Sequence, residues 1–249
     1  MTMPGKLYLI PVSLGGEDAT AMLGTAVLRI LPGLRHFIAE HPKSARQFLK
    51  AAGYPHALAS TDIQTLSEHT SAAELPQLLL PLLAGNDCGM LSEAGCPAIA
   101  DPGAALVRLA HGQGIRVVPL VGPSSILLAL MASGMNGQRF TFHGYLPVEK
   151  EARKKKLLEL ERQSDQQDAT QIFIEAPYRN PALLQAVLET CDTATLLCLA
   201  TDLTLESESV LTQTVEAWKK KPPEINRRPT VFLLYCRARN LSDPSPTSS

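Results

Sequence analysis

Apolar residues fall alternately into short runs of strand length and into stretches at helical spacing, and this alternation predicts most of the chain's elements. Leu7-Tyr-Leu-Ile-Pro-Val is a strand-length run. The glycines of Ser13-Leu-Gly-Gly-Glu-Asp turn it toward a helix that carries Met22, Leu23, Ala26, Val27 and Ile30, with Asp18 as its cap. Phe37-Ile-Ala predicts a second strand ending at Glu40, and Ala45, Phe48 and Leu49 predict a helix that stops at Gly53. A third helix is expected over Ala72–Leu83, closed by Gly85. The strand Cys88-Gly-Met-Leu, a loop over Ser92–Gly103, a helix over Ala104–His111 and the strand Ile115–Leu120 follow.

The second half repeats the alternation. Val121-Gly-Pro-Ser-Ser leads into an apolar helix, Ile126–Ala132, that ends at Gly134. A strand from Phe140, a charged helix over Glu149–Gln163, a strand over Gln171–Ile174, a helix over Pro181–Thr190, and strands over Thr195–Ala200 and Thr230–Tyr235 complete it. Strands separated by helices imply right-handed crossovers and parallel pairing. The expected fold class is α/β in two domains: an N-terminal α/β domain with a mainly parallel sheet over 1–119 and a C-terminal α/β domain over 120–240. The tail from 241, polar from Asp243 to Ser249, is expected to be disordered.

Charge narrows the function. Lys plus Arg number 23 and Asp plus Glu 24, a net charge of 23 − 24 = −1, which excludes a strongly basic domain built to coat nucleic acid. Cys88, Cys96, Cys191, Cys198 and Cys236 include no CxxC pair and no histidine at zinc-ligand spacing, so free thiols in a reducing compartment and no metal are expected. The start, Met1-Thr-Met-Pro-Gly-Lys-Leu, lacks a leader pattern, and no run of about 18 apolar residues suits a membrane. A cytoplasmic location follows as the expectation.

In a parallel sheet, ligands bind beyond the carboxyl ends of the strands. Three loops there are rich in Gly, Pro, Ser and acid: Ser13–Asp18, Ser92–Gly103 and Val121–Ser125. None is a phosphate cradle of the GxxxxGK[ST] or GxGxxG kind, and HExxH and GxSxG are absent. A ligand held by backbone groups and small side chains, with little phosphate, fits best. In the middle loop Gly95, Pro97, Pro102 and Gly103 shape the backbone, and Ser92, Glu93 and Asp101 supply polar side chains. Asp101 either faces a ligand or caps the helix that follows.

Between Gly5 and Arg179 five segments occur in order: Gly5-Lys-Leu-Tyr-Leu-Ile, Leu91-Ser-Glu-Ala-Gly-Cys-Pro-Ala-Ile-Ala-Asp-Pro-Gly, Val117-Val-Pro-Leu-Val-Gly-Pro-Ser-Ser, Phe142-His-Gly-Tyr-Leu-Pro and Glu175-Ala-Pro-Tyr-Arg. In these the chain resembles the tetrapyrrole-methylase fold and, within it, the ribosomal RNA small-subunit methyltransferase I family, whose middle motif reads SDAGTPxISDPG. The resemblance implies a homodimer of two-domain subunits that binds S-adenosylmethionine in a cleft between the domains. It implies methylation of a cytidine 2′-hydroxyl in small-subunit ribosomal RNA. Carried over by position, Ser92, Glu93, Gly95, Pro97, Ala98 and Ile99 would line one side of the cofactor. Gly122, Ser124 and Ser125 would join them from the next loop, and Glu175 and Ala176 would come from the second domain. Ser124 and Ser125 also suit capping of the helix after them.

The departures fall where the family meets substrate. The first loop, Pro11-Val-Ser-Leu-Gly-Gly-Glu-Asp, differs from the family's Thr-Pro-x-Gly-Asn-Leu-x-Asp. Ala39-Glu40-His41-Pro42-Lys43 stands for Ala-Glu-Asp-Thr-Arg, and Thr201-Asp202-Leu203-Thr204-Leu205 for Arg-Glu-Leu-Thr-Lys. Lys43 and Thr201 therefore replace two guanidinium groups able to hold phosphate with paired bonds. Weak binding of bare RNA is expected, and an arginine restored at position 201 is expected to strengthen it. The basic runs Arg153-Lys-Lys-Lys, Lys219-Lys-Lys and Arg227-Arg are read as exposed, and Cys96 as open to thiol reagents. Glu40 and His41, just past the second strand, are the candidate acid–base residues, with a merely structural role as the alternative. Three functions stay open: an RNA methyltransferase, a methyltransferase for a small molecule or tetrapyrrole, and a cofactor-binding protein without catalysis.

Overall fold

Strands buried on both faces need near-continuous apolar sequence, and His36–Ala39 and Cys88–Leu91 inside the first sheet are such strands. The computed structural model of the chain describes residues 3–15, 20 and 22–236. The proposed cap Asp18 and the tail from 241 lie outside them. The chain divides into two units, Met1–Ser124 and Ser125–Ser249.

Unit 1 runs β1 (Lys6–Ile10), α1 (Thr25–Ile30), β2 (His36–Ala39), α2 (Pro42–Ala51), β3 (Asp62–Thr65), α3 (Leu75–Leu78), α4 (Leu80–Leu83), β4 (Cys88–Leu91), α5 (Ala104–Gly112) and β5 (Arg116–Pro119). Its sheet has the order β3-β2-β4-β1-β5, and every pairing is parallel. Alternation along β1 and β2 sends Ile10 and Phe37 to a core with Val27 and Leu49, and Leu7 and Ile38 to a core with Leu82 and Leu106. All strands point the same way, so the ends of β1, β2, β4 and β5 share one edge.

Two helices depart from the sequence expectation. The first begins only at Thr25, with Gly24 as its N-cap, so Met22 and Leu23 precede it. The helix expected over Ala72–Leu83 is two short ones, because Pro76 and Pro81 lack the N–H groups that a continuous helix needs. The strand β3 went unpredicted. It is an edge strand of Asp-Ile-Gln-Thr, with neither terminal residue buried, and so shows little apolar pattern.

Unit 2 runs α6 (Ser125–Ser133), β6 (Phe140–Tyr145), α7 (Lys150–Gln167), β7 (Thr170–Ile174), α8 (Asn180–Thr190), β8 (Leu196–Thr201), β9 (Ser209–Thr214), α9 (Val215–Lys220) and β10 (Thr230–Tyr235). Its sheet, β6-β7-β10-β8-β9, is mixed: β6 and β7 are parallel and the other pairs antiparallel. Glu149 caps α7 by accepting from the N–H groups of Glu151 and Ala152, at 3.1 and 2.6 Å. The core stacks Phe173 on Phe232 at 5.6 Å and buries Trp218, whose indole N–H donates to Leu197 O at 2.9 Å. The sequence pattern missed β9 and α9, an edge strand of alternating polar residues and a six-residue helix.

Gly122 belongs to the loop after β5 and leaves no room for a side chain. A Cβ there would meet Pro11 Cγ at 2.1 Å and Pro11 Cβ at 2.3 Å, atoms held in a rigid ring. Gly122→Ala should therefore destabilise the protein by about 1–3 kcal/mol. Gly112→Ala, in α5 and with nothing within 4 Å of the added carbon, should be neutral or stabilising. Urea midpoints of the two variants check the contrast.

Candidate functional site

The loops after β1, β4 and β5 meet through hydrogen bonds, one between backbones and one from a thiol side chain. Val12 N–H donates to Gly95 O at 2.9 Å, and Ser92 Oγ donates to the same oxygen at 2.8 Å. Cys96 Sγ donates to Pro123 O at 3.3 Å, tying the second loop to the third. Gly95 takes φ +72°, where a Cβ would lie 3.2 Å from Leu14 Cδ2 and 3.3 Å from Pro123 O. The bare α-carbon thus serves loop packing as well as any ligand. Ala98 (φ 64°) and Ala100 (φ 60°) hold left-handed conformations without being glycine, which concentrates backbone strain in this loop.

Gly95 and Pro97 are buried, Ser92, Ala98, Gly122, Ser124 and Ser125 half-buried, and Glu93 and Ile99 exposed. Pro97, Ala98 and Ile99 line a largely apolar cavity of about 530 Å³ whose floor includes Leu9 and Pro119. Arg108 and His111 of α5 add its polar rim. The sequence reading missed these two; their spacing of three on one helix face is the signal that could have found them. Ser125 begins α6, with Ser124 immediately before it.

Glu40 and His41 follow β2. His41 is the N-cap residue of α2 but makes no capping bond with its side chain. Its Nδ1 instead lies 3.5 Å from Glu93 Oε1. Asp101 does not cap α5, whose N-cap is Gly103. Its Oδ2 is buried with no hydrogen-bond partner among the described residues. Burial, and then the charge of Glu40, push the Asp101 carboxyl up to about 6, against a backbone N–H of Glu93 that stabilises the anion. Glu40, Ser92 and Asp101 line one narrow crevice. At Cys96 burial raises the thiol pKa, which makes it less reactive than its loop position implied.

In unit 2, Glu175 follows β7 directly, with its side chain almost fully buried. Oε1 accepts from Arg179 Nε at 2.8 Å, Arg179 Nη2 at 2.6 Å and Ala176 N–H at 2.7 Å. Oε2 is buried and has no partner among the described residues. Ala176 is half-buried beside it. The expectation for Thr201 is corrected: it is 3% exposed, and its hydroxyl meets that of Thr230 at 3.2 Å. An arginine there would bury an unpaired cation and could not reach phosphate. A guanidinium comes to this loop from elsewhere, since Arg228 Nε donates to Asp202 Oδ2 at 2.8 Å and Nη2 to Ser207 O at 2.8 Å. Arg228 is therefore half-buried and paired rather than exposed. Also in unit 2, His143 Nε2 lies 2.7 Å from Gln171 Oε1.

No family model matches the sequence. The chain is similar to the ribosomal RNA small subunit methyltransferase I of Xylella fastidiosa, with 32% identity over 215 residues, 86% of this chain and 74% of that protein. It is 33% identical over 205 residues to the protein of that name from Vibrio cholerae, 82% of this chain and 67% of that one. Among solved structures it resembles the methyltransferase CobJ, with a TM-score of 0.61 and 16% identity over 93% of this chain and 94% of that one. It also resembles a uroporphyrin-III-C-methyltransferase from Thermus thermophilus, with a TM-score of 0.51 and 19% identity over 93% and 92%. At those identities the structures establish the fold alone.

Asp101 carries a testable pH signature. Its ordinary value is 3.8, so between 3.8 and about 6 the folded protein holds a proton that the unfolded chain has lost. Its contribution to stability therefore falls as pH rises across that window, and the penalty is complete above it. Asp101→Asn keeps an acceptor for Glu93 N–H and removes the charge. It should be more stable than the parent at neutral pH, by about 1 kcal/mol after allowing for solvent screening at a half-buried site, and equal to it near pH 4. Thermal midpoints measured across this pH range check both ends.

Proposed function

The chain belongs to the ribosomal RNA small subunit methyltransferase I family, and we propose that it methylates a cytidine 2′-hydroxyl of small-subunit ribosomal RNA using S-adenosylmethionine. The observation that carries this reading is the junction of three loops at the carboxyl edge of the parallel sheet. There the Ser92–Gly103 segment holds left-handed alanines beside an apolar cavity. Such a site suits a ligand of adenine, ribose and amino acid without phosphate. Pocket size and the tight turn at Gly95 fit S-adenosylmethionine, and in unit 2 Glu175 Oε2, without a partner among the described residues, is an acceptor for a hydroxyl or ammonium donor.

We assign Ser92, Glu93, Gly95, Pro97, Ala98 and Ile99, with Gly122, Ser124 and Ser125, to cofactor binding from unit 1, and Glu175 and Ala176 from unit 2. When bound, S-adenosylmethionine supplies a methyl group on a positively charged sulfur. Methyl transfer to oxygen needs an acceptor in line at about 3–3.5 Å and a group to take the hydroxyl proton. His41 suits the second task. Its Nδ1 lies 3.5 Å from Glu93 Oε1 and its Nε2 is the nitrogen assigned to accept the proton, while Glu40 adds negative charge beside it.

The remaining assignments are a homodimer and a cytoplasmic location. α6 is apolar all round and leaves Leu127 and Met131, four residues apart, 51% and 79% exposed, a face that a second copy would cover. All five thiols are free, as a reducing compartment keeps them. No helix among the described residues is long and apolar enough to cross a membrane.

Labelled S-adenosylmethionine offered with assembled small ribosomal subunits, protein-free small-subunit RNA and a tetrapyrrole extract tests the acceptor. Label should enter 2′-O-methylcytidine of the assembled particle, and bare RNA should react more slowly. Label confined to the tetrapyrrole fraction would replace the RNA reading with the small-molecule one. His41→Gln should lower kcat by about 100-fold or more while calorimetry finds cofactor binding unchanged. An unaltered kcat removes His41 from the reaction.

A further inference from the structure

Two of the five tyrosines are exposed, and both stand at one end of the unit 2 sheet. Tyr145 pairs with Ile174 at the end of β7, beyond a register shift after Phe142 and a left-handed Gly144 (φ 64°) that turn the last residue of β6 outward. Tyr178 follows three residues after Glu175 in the next loop. Their exposures are 59% and 66%, high for rings in a protein with so few aromatics. The guanidinium of Arg179 sits over the Tyr178 ring, 5.4 Å from its centroid. Both phenols lie close enough to Arg179 to act on its charge.

The arginine cannot swing away. Two of its nitrogens are held by the buried Oε1 of Glu175. A third feature completes the cluster. Arg227 N–H donates to Pro177 O at 2.9 Å and Asn180 Nδ2 donates to Arg228 O at 2.7 Å, so the loop before β10 is bonded to the loop that carries Tyr178. Arg227 itself is exposed and held at φ 58°, a strained conformation for a residue with a side chain. Arg179 and Arg228 are neutralised by Glu175 and Asp202, whereas no described side chain pairs with Arg227. An open aromatic ring with a fixed guanidinium on it and an unpaired cation one loop away is the combination that holds an unstacked nucleotide, its base on the ring and its phosphate on the cation.

We propose that Tyr178, supported by Arg179 and flanked by Tyr145 and Arg227, is a stacking site for one unpaired nucleotide of the RNA substrate. The proposal rests on the RNA reading of the acceptor and specifies where single-stranded RNA is gripped. Base recognition by stacking tolerates any sequence, and so the site positions the strand rather than choosing the target base.

Fluorescence anisotropy of a labelled, unstructured RNA heptamer tests it, with S-adenosylhomocysteine present and an RNA duplex as control. Tyr178→Ala should weaken single-strand binding by about 5- to 100-fold, Tyr178→Phe should retain it, and duplex binding should change little. Arg227→Gln should reduce the slope of log affinity against log salt by about 0.7. Methylation of assembled subunits by Tyr178→Ala should show a raised KM with kcat preserved. A parent that does not bind the heptamer overturns the site, and so does a Tyr178→Ala variant that binds like the parent. The two readings fail separately. RNA methylation unaffected by Tyr178→Ala removes the stacking site and keeps the acceptor, while heptamer binding lost in Tyr178→Ala with no RNA methylated removes the acceptor and keeps the site.

Discussion

The carbonyl of Gly95 is the point on which the unit 1 site turns. It accepts from Val12 N–H and from Ser92 Oγ, so one oxygen joins the loop after β1 to the loop after β4 and fixes the start of the latter. The left-handed φ of Gly95 aims the following residues toward the third loop, where Cys96 finds Pro123 O. Gly122 can lie against the ring of Pro11 because it carries no Cβ, which would meet that ring at 2.1 Å. Strain at Ala98 and Ala100 is tolerable in this setting, because the segment is bonded at its start and ends in a regular helix.

The protein keeps two carboxylates in costly positions, one in each unit, by different means. Asp101 has one oxygen on a backbone N–H and one buried without a partner, next to Glu40, and its raised pKa reports the cost. Glu175 crowds three donors onto one oxygen and leaves the other empty. A buried acceptor with no partner normally loses about 1–3 kcal/mol. Glu175 stands just past β7, at the kind of strand end where α/β proteins place their ligands.

A buried threonine and an arginine from a distant segment together organise the loop after β8. Position 201 is a buried threonine bonded to Thr230, unsuited to a cation. Arg228 reaches the same loop from β10's approach and anchors Asp202, and the φ values of Asp202 and Thr204, 52° and 75°, are held by the network it organises with Ser207.

Much of this molecule was legible in one dimension. Strands buried on both faces, such as Phe37-Ile-Ala and Cys88-Gly-Met-Leu, announce themselves because both faces must be apolar, and the motif from Leu91 to Gly103 marks its loop by its glycines and prolines. Edge strands β3 and β9 were not legible, since one side of each faces water and half the apolar signal is absent. Nor could the sequence say that His41 would meet Glu93, that Arg228 would pair with Asp202, or that Tyr145 and Tyr178 would stand at the same end of one sheet. Local pattern determined which segments are strands, helices and loops, because periodicity records only the burial of each residue's own side chain. Partnership was left to the tertiary structure, because strand order and loop junctions are set by hydrogen bonds between backbones far apart in the chain, and backbone groups are the same at every position.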